Sequence, residues 1–367
     1  MFQDIYKNKK VIVTGHTGFK GGWMCLWLTM MGADVYGISN EVYSEPSLYD
    51  VAGIDAHITS YIADIRDLNK MKEIFSDVKP DFVFHMAAQA IVKKAYTDPL
   101  DTFATNVMGT GNILEALRIN DIPCTAVMIT SDKCYDNVEW IWGYKETDQI
   151  GGKDPYSASK GGSELIIKTY YHSYFKKDNK IKISAVRAGN VIGGGDWADA
   201  RIVPDCFRAW AKDEKVLIRS PRATRPWQHV LEPISGYLRT GQLLASPEDK
   251  IIQGEPYNFG PPADQNHNVL SLIQELAKNW SDSESDMVQV EDSNFPESGL
   301  LKLNIDKALH DLDWKPALNF AQTAAFTSDW YKEYYTNKST NMFEYTSEQI
   351  KQYIQSAKQN GIIWALK

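Results

Sequence analysis

The amino-acid sequence predicts an α/β protein, a doubly wound parallel sheet followed by a smaller α/β lobe. Three observations carry this. Short apolar runs alternate with amphipathic helical patterns through the first half of the chain. A glycine-rich turn follows the first such run at once. After about Arg187 the alternation loosens, and glycine and proline become frequent.

The runs Lys10–Thr14, Asp34–Ile38, Ile58–Ala63, Asp81–His85, Thr125–Ile129 and Lys182–Val186 are of strand length, and most are rich in β-branched or aromatic residues. Helical patterns lie between them at Gly22–Met31, Leu68–Val78, Leu100–Asn120 and Tyr156–Phe175. Strand, helix and strand in alternation predict right-handed crossovers, with helices on both faces of the sheet. Residues 1–187 are thus expected as a first domain and 188–336 mainly as a second lobe, with the chain free to cross back. That lobe carries helical patterns at Ile234–Ala245, Leu270–Trp280 and Ala317–Tyr335. Residues 337–367 are expected as a tail with a short amphipathic helix at Ser347–Ala357.

Composition excludes several classes. The 367 residues carry 39 basic and 47 acidic side chains, a net charge of -8, so no global attraction to nucleic acid or anionic membrane is expected. Hydrophobic residues make up 43%, enough for a large core. Cys25, Cys124, Cys134 and Cys206 are scattered, which predicts free thiols and a cytoplasmic setting rather than a disulfide framework. No stretch has the length of a membrane helix or the pattern of a secretory signal. There is no H-E-x-x-H and no G-x-S-x-G, so neither a metal site nor a nucleophile-elbow hydrolase is expected.

The glycine turn is Gly15-His-Thr-Gly-Phe-Lys-Gly21. Gly15 permits a tight turn, Gly18 lets backbone approach a pyrophosphate, and Gly21 lets helix and strand pack closely. The following helix N-terminus offers unpaired N–H groups to the phosphates. His16 and Lys20 are candidates to touch those phosphates or to face solvent. An acidic residue about 20 positions on should hold the adenosine ribose, and Glu41 is so placed, with Ser39 or Asn40 as alternatives. No Lys or Arg stands between Lys20 and Arg66 to receive a 2′-phosphate, so NAD is expected over NADP. Asp64 and Ile65, after the third strand, are placed to meet the adenine, although Asp64 also suits a helix start.

Tyr156-Ser-Ala-Ser-Lys160 puts a phenol and an ammonium at i and i+4 on one helical face. The cation should lower the tyrosine pKa from about 10, so that tyrosinate can accept a hydroxyl proton while hydride leaves the same carbon. Asp154-Pro155 suits the start of that helix.

With these motifs in view, the chain resembles the extended short-chain dehydrogenase/reductase family that acts on nucleotide sugars, from Lys10 to about Tyr335. The resemblance rests on the T-G-x-x-G-x-x-G turn, Ala87-Ala88-Gln89, Asn106-Val-Met-Gly-Thr110, Ser131, Tyr156 with Lys160, and Leu312-Asp-Trp-Lys-Pro316. It implies a Rossmann-type sheet with a C-terminal substrate-binding lobe. Within the family, Gly15-His-Thr-Gly-Phe-Lys-Gly21, Thr130-Ser-Asp-Lys-Cys-Tyr135, Arg187-Ala-Gly-Asn-Val-Ile-Gly-Gly-Gly-Asp-Trp197 and Arg225-Pro-Trp-Gln-His-Val230 are similar to the 4,6-dehydratases that take CDP-glucose.

The resemblance implies roles residue by residue. Gly15, His16, Thr17, Gly18, Phe19, Lys20, Gly21, Glu41, Asp64, Ile65, Ala87, Ala88, Gln89, Asn106 and Thr130, with Tyr156 and Lys160, would hold NAD. Ser131, Asp132, Lys133, Tyr156 and Lys160 would be catalytic. Asp132 would protonate the leaving C6 hydroxyl. Lys133, where related dTDP-sugar enzymes have glutamate, would take the C5 proton, or would merely pair with Asp132 or a phosphate. Asn190, Arg201, Pro204, Arg219 and Arg225 would bind the nucleotide sugar, although Arg219 also suits plain surface charge. Trp197 and Trp227 suit either a base stack or the core. The helices at Leu100–Asn120 and Tyr156–Phe175 would pair two subunits in a homodimer. A 4-epimerase or a dehydratase for another nucleotide sugar is the alternative; a non-catalytic NAD-binding sensor fits less well, because Tyr156 and Lys160 are both kept.

Overall fold

The computed structural model describes residues 1–178, 180–199, 201–218, 220–246, 252–280, 287–290 and 300–366. Seven strands form the central sheet: β1 (Lys10–Thr14), β2 (Asp34–Ser39), β3 (Thr59–Ile62), β4 (Phe82–His85), β5 (Cys124–Ile129), β6 (Ile181–Ala188) and β7 (Pro256–Phe259). Every neighbouring pair is parallel, in the order β7-β6-β5-β4-β1-β2-β3. The order reverses at β1, which lies between β2 and β4. Open α/β sheets take ligands outside the carboxyl ends of the strands at such a point.

The packing follows the period-2 pattern. Val11 and Val13 of β1 enter one core and Ile12 the other; Val127 and Ile129 of β5 face the first, Ala126 and Met128 the second. Because helices cover both faces, the central strands β1, β4 and β5 are mostly apolar, whereas the edge strand β3 is largely exposed. The main helices are α1 (Phe19–Met30), α2 (Leu68–Val78), α3 (Gly109–Asn120), α4 (Pro155–Tyr170), α5 (Leu231–Ala245), α6 (Phe320–Thr336) and α7 (Met342–Gln359). Their starts have local causes. Asp67 caps α2 by accepting from Lys70 N at 3.0 Å, and Lys79 ends it in a left-handed conformation. Asp154 caps α4 through Ser157 N at 3.0 Å, with Pro155 in the first turn.

β7 comes from inside the stretch expected as the second lobe. Among the described residues the lobe has helices at Ile202–Trp210 and Val269–Trp280 and three short strand pairs. The pair Val216–Ile218 with Val288–Val290 is parallel. The C-terminal stretch is folded: α7 packs on α1, and Trp364 stacks on Phe2 with ring centroids 4.9 Å apart. One buried carboxylate ties this corner together. Glu232 of α5 accepts from Leu318 N at 2.7 Å, Ala317 N at 2.9 Å and the Tyr353 hydroxyl of α7 at 2.7 Å.

Candidate active site

A cavity of about 1310 Å³ opens along the carboxyl ends of β1, β4, β5 and β6 and continues into the lobe. Single small-ligand pockets hold about 300–1,000 Å³, so there is room for a dinucleotide and a second ligand. The glycine turn forms one end. Gly15 has a φ of +78°, and a Cβ there would stand 2.9 Å from Ala87. A Cβ on Gly21 would stand 2.0 Å from the Gly15 carbonyl oxygen, so α1 can begin this close to β1 only with glycine there. Gly18 precedes the first turn of α1 with no side-chain cap, and lines the cavity with Gly15, Thr17, Phe19, Lys20 and Gly21. This uncapped helix start facing a bare glycine cradle fits a pyrophosphate.

Two residues of the turn lie elsewhere than the sequence suggests. The His16 side chain is neither at the phosphates nor in solvent. Its ring is wholly buried under Gly37, with Nε2 2.6 Å from Ser60 Oγ, and burial lowers its pKa to about 4. Lys20 turns toward the catalytic end, its ammonium 5.8 Å over the Tyr237 ring. Burial, then the charges of Lys160 and Arg201, bring its pKa to about 8, while Asp132 opposes them.

At the ribose end, Ser39, Asn40 and Glu41 all line the wall. Thr17 Oγ1 donates to the Glu41 carbonyl oxygen at 2.6 Å, pinning the end of β2 to the glycine turn. Asp64 is not a helix cap; Asp67 takes that place. Asp64 accepts two bonds from Arg66 Nε, at 3.0 and 2.9 Å, and Asp101 engages the same guanidinium. Arg66 lines the cavity, but its charge is matched by these two carboxylates. Ile65, Ala87, Ala88 and Gln89 complete this wall. Asn106 lies behind it, holding Gln89 through both its backbone N–H and its carbonyl, at 2.8 and 3.0 Å.

The catalytic candidates meet at the end of β5. Thr130, Ser131, Asp132, Lys133, Tyr156 and Lys160 all line the cavity. Ser131 Oγ donates to Asp132 Oδ1 at 2.9 Å, and Ser131 also acts on the Tyr156 phenol, lowering its pKa. Ser131 therefore stands beside both the aspartate and the tyrosine. Asp132 Oδ2 is buried without a hydrogen-bond partner among the described residues; the nearby Lys133 ammonium is 3.9 Å away, too far for a bond.

The expected depression of the tyrosine pKa is not found in the chain alone. Burial pushes Tyr156 up to about 12; the Ser131 bond lowers it, Asp132 raises it and Arg201 lowers it. Lys160 is itself buried, and desolvation brings it down to about 8. Desolvation is thus the largest influence at Tyr156, and what opposes it comes from Ser131 and Arg201.

In the lobe, Asn190, Arg201, Pro204 and Arg225 line the same cavity, whereas Arg219 lies outside the described residues. Arg201 is held by Asp196, Nη1 to Oδ2 at 2.7 Å. Both tryptophans are core residues reaching the cavity edge: Trp197 Nε1 donates to Tyr335 Oη at 3.2 Å, and Trp227 Nε1 to the His267 carbonyl at 3.1 Å.

Sequence reasoning missed Arg66 as a wall residue, and with it Lys93, Lys94, Asp196, Lys215 and Ser220. Asp196 stands inside a string already singled out, so its place beside Arg201 was within reach. Lys215 and Ser220 flank a three-residue strand with no motif of its own.

Comparison with known proteins gives a consistent set. The family described as GDP-mannose 4,6 dehydratase matches residues 12–327. The chain is similar to a CDP-glucose 4,6-dehydratase of Salmonella typhimurium, 42% identical over 90% of this chain and 92% of that protein. It is also similar to a dTDP-glucose 4,6-dehydratase of Xanthomonas campestris pv. campestris, 25% identical over 87% and 92%. Among solved structures it resembles a dTDP-glucose 4,6-dehydratase from Streptomyces venezuelae with NAD bound, with a TM-score of 0.74 and 21% identity, covering 88% of this chain and 97% of that one. A UDP-glucose 4-epimerase from Thermotoga maritima is alike at a TM-score of 0.75 and 20% identity, over 89% and 99%. These structural likenesses concern the fold.

Proposed function

The chain belongs to the GDP-mannose 4,6 dehydratase family, and we propose that within it the chain converts CDP-D-glucose to CDP-4-dehydro-6-deoxy-D-glucose, with NAD as cofactor. The single observation that carries the reaction class is the placing of Asp132 and Lys133. Both line the cavity with Tyr156, and Asp132 accepts from Ser131, which also lowers the pKa of that phenol. A 4-epimerase needs no such second acid and base. The nucleotide rests on the relative that is 42% identical.

Bound NAD would accept hydride from C4 and return it to C6. The glycine cradle and the α1 N-terminus would hold its pyrophosphate, and the paired Arg66 favours NAD over NADP. Tyr156 takes the O4 proton, leaving a C4 ketone that acidifies C5. Lys133, in its neutral form, takes the C5 proton. Asp132, in its protonated form, gives a proton to the departing C6 hydroxyl, and Lys133 returns a proton to C5. Over a full turn the water that leaves consists of the C6 hydroxyl and, in balance, the O4 proton. Ser131, which donates to Asp132 and lowers the Tyr156 pKa, is placed beside both groups.

Leu100, Met108 and Leu165 are exposed on the helices expected to pair two subunits. They support a homodimer, which sedimentation at varied concentration tests.

The reaction is tested by proton NMR of purified enzyme with NAD in D₂O, with CDP-glucose and with UDP-, dTDP- and GDP-sugars in parallel. A new C6 methyl with deuterium at C5, from CDP-glucose only, is the expected result. A methyl from another nucleotide sugar removes the nucleotide assignment; a C4-epimerised sugar without a methyl removes the dehydratase. Lys133→Met should oxidise C4 without exchanging the C5 proton, and unchanged dehydration would overturn its role as base.

A further inference from the structure

Behind the cavity wall lies an ion pair whose two side chains line neither the glycine turn nor the lobe side of the cavity. Glu164 of α4 and Arg187 of β6 are almost fully buried, and neither lines the cavity. Their contact is bidentate: Nε to Oε1 and Nη2 to Oε2, both at 2.8 Å. Burial alone would raise the Glu164 carboxyl; the Arg187 charge and bonds, with Thr130, hold it below its usual range. Such a pair gives up two hydration shells, and an apolar pair of similar volume often serves stability as well. Stability is therefore a weak account of it, and its other bonds suggest a better one.

Those bonds reach both ends of the catalytic turn. The Thr130 hydroxyl donates to Glu164 Oε1, immediately before Ser131. Arg187 Nη1 donates to Tyr135 Oη at 2.7 Å, two residues after Lys133, with the guanidinium 4.9 Å over that ring. Tyr135 Oη in turn donates to Asn258 Oδ1 of β7 at 2.8 Å. On the other side, Glu164 follows Lys160 by one helical turn and Tyr156 by two, on one face of α4. A single carboxylate thus connects the helix bearing Tyr156 and Lys160 to the turn bearing Asp132 and Lys133.

We propose that Glu164 and Arg187 are positioning residues that hold these two groups in register, so that the C4 ketone forms where Asp132 and Lys133 can act on it at once. This rests on the dehydratase reading above. The helix pair serves C4 oxidation and the turn serves C5 and C6 elimination. Loosening the link should slow the second step more than the first. A misplacement of about 1 Å can cost roughly a hundredfold in rate.

The test compares wild type, Glu164→Gln and Tyr135→Phe with CDP-glucose and NAD. Each reaction is quenched early, reduced with borohydride and hydrolysed. A ketone that has kept its C6 hydroxyl then yields galactose beside glucose, and the finished product yields 6-deoxyhexoses. Tyr135→Phe keeps the ring and loses only the hydroxyl link, so it stays informative where Glu164→Gln, which leaves Arg187 unmatched, fails to fold. The expected result is a rise of about tenfold or more in galactose relative to 6-deoxyhexose. A loss of folded protein lowers both alike and does not move this ratio. An unchanged ratio in Tyr135→Phe overturns the proposal while the dehydratase reading stands. A wild type that makes no 6-deoxyhexose removes that reading, and the proposal with it.

Discussion

Replacing Glu232 by glutamine should stabilise the protein at alkaline pH and leave it nearly unchanged in acid. The Glu232 carboxyl is 1% exposed, and burial moves its pKa from 4.5 up to about 7, against the opposing bonds from Tyr353, Leu318 and Ala317. The sign follows from linkage. Between pH 4.5 and 7 the folded chain keeps a proton that the unfolded chain has lost, so stability is full below 4.5 and falls as pH rises through 7. Two and a half pKa units at about 1.36 kcal/mol each make about 3 kcal/mol. With an unfolding entropy of about 2.1 cal/mol/K per residue over 367 residues, that is about 4 °C in Tm. Glutamine reproduces the protonated state: its oxygen accepts from Leu318 N and Ala317 N, and its amide donates to Tyr353, whose hydroxyl also has Ser235 Oγ at 3.1 Å. Calorimetry of both proteins at about pH 5 and about pH 8.5 checks this. A glutamine variant that melts lower at both values would refute the reasoning, because the carboxylate would then be ionised and held by its bonds.

Lys160, brought down to about 8 by burial, carries its charge below that pH and loses it above. kcat/KM should therefore fall as pH rises through about 8, and a profile still climbing there would remove Lys160 as the supporting cation. Asp64→Ala releases one of the two carboxylates on Arg66. It should narrow the preference for NAD over NADP by about tenfold in KM, since a freed guanidinium suits a phosphate; weaker NAD binding with no gain for NADP would contradict this. Arg225→Ala should raise the KM for CDP-glucose by about 10- to 100-fold with little change in kcat, as expected on losing a charge-assisted contact made equally to ground and transition states. A fall in kcat at unchanged KM would place Arg225 in the chemistry instead.

The sequence was most legible where local signals agreed. β1 runs Lys10–Thr14 and α2 runs Leu68–Val78, as the pattern alone suggests, because apolar periodicity and an Asp67 cap point the same way. β7 was missed because it is four residues long and carries Asn258 at its middle. That amide is buried, and donates to the carbonyls of Tyr144 at 2.9 Å and Asn304 at 3.1 Å, partners far away in sequence. The helix at Ile202–Trp210 was hidden by Pro204, which reads as a breaker but sits in the first turn, where its missing N–H costs nothing. In the site, motif residues fell together because they sit at fixed offsets from strand ends. The directions taken by His16 and Lys20 did not follow from spacing, since Gly37 and Tyr237 decide them from other parts of the chain.

The return of the chain to form β7 bears on how such enzymes diversify. β6, α5 and β7 make an ordinary crossover of the sheet, and residues 189–230 hang from it as an excursion between β6 and α5. That excursion holds Asn190, Arg201, Pro204 and Arg225, whereas Asp132, Lys133, Tyr156 and Lys160 all belong to the sheet side. On the proposed reading, recognition and chemistry would lie in different stretches of the chain, the excursion being paired to Val288–Val290 and His267–Asn268 beyond it. A graft of this excursion together with the segments it pairs with, from a relative with another nucleotide preference, would on that reading carry the choice of substrate across while Asp132, Lys133, Tyr156 and Lys160 stayed as they are.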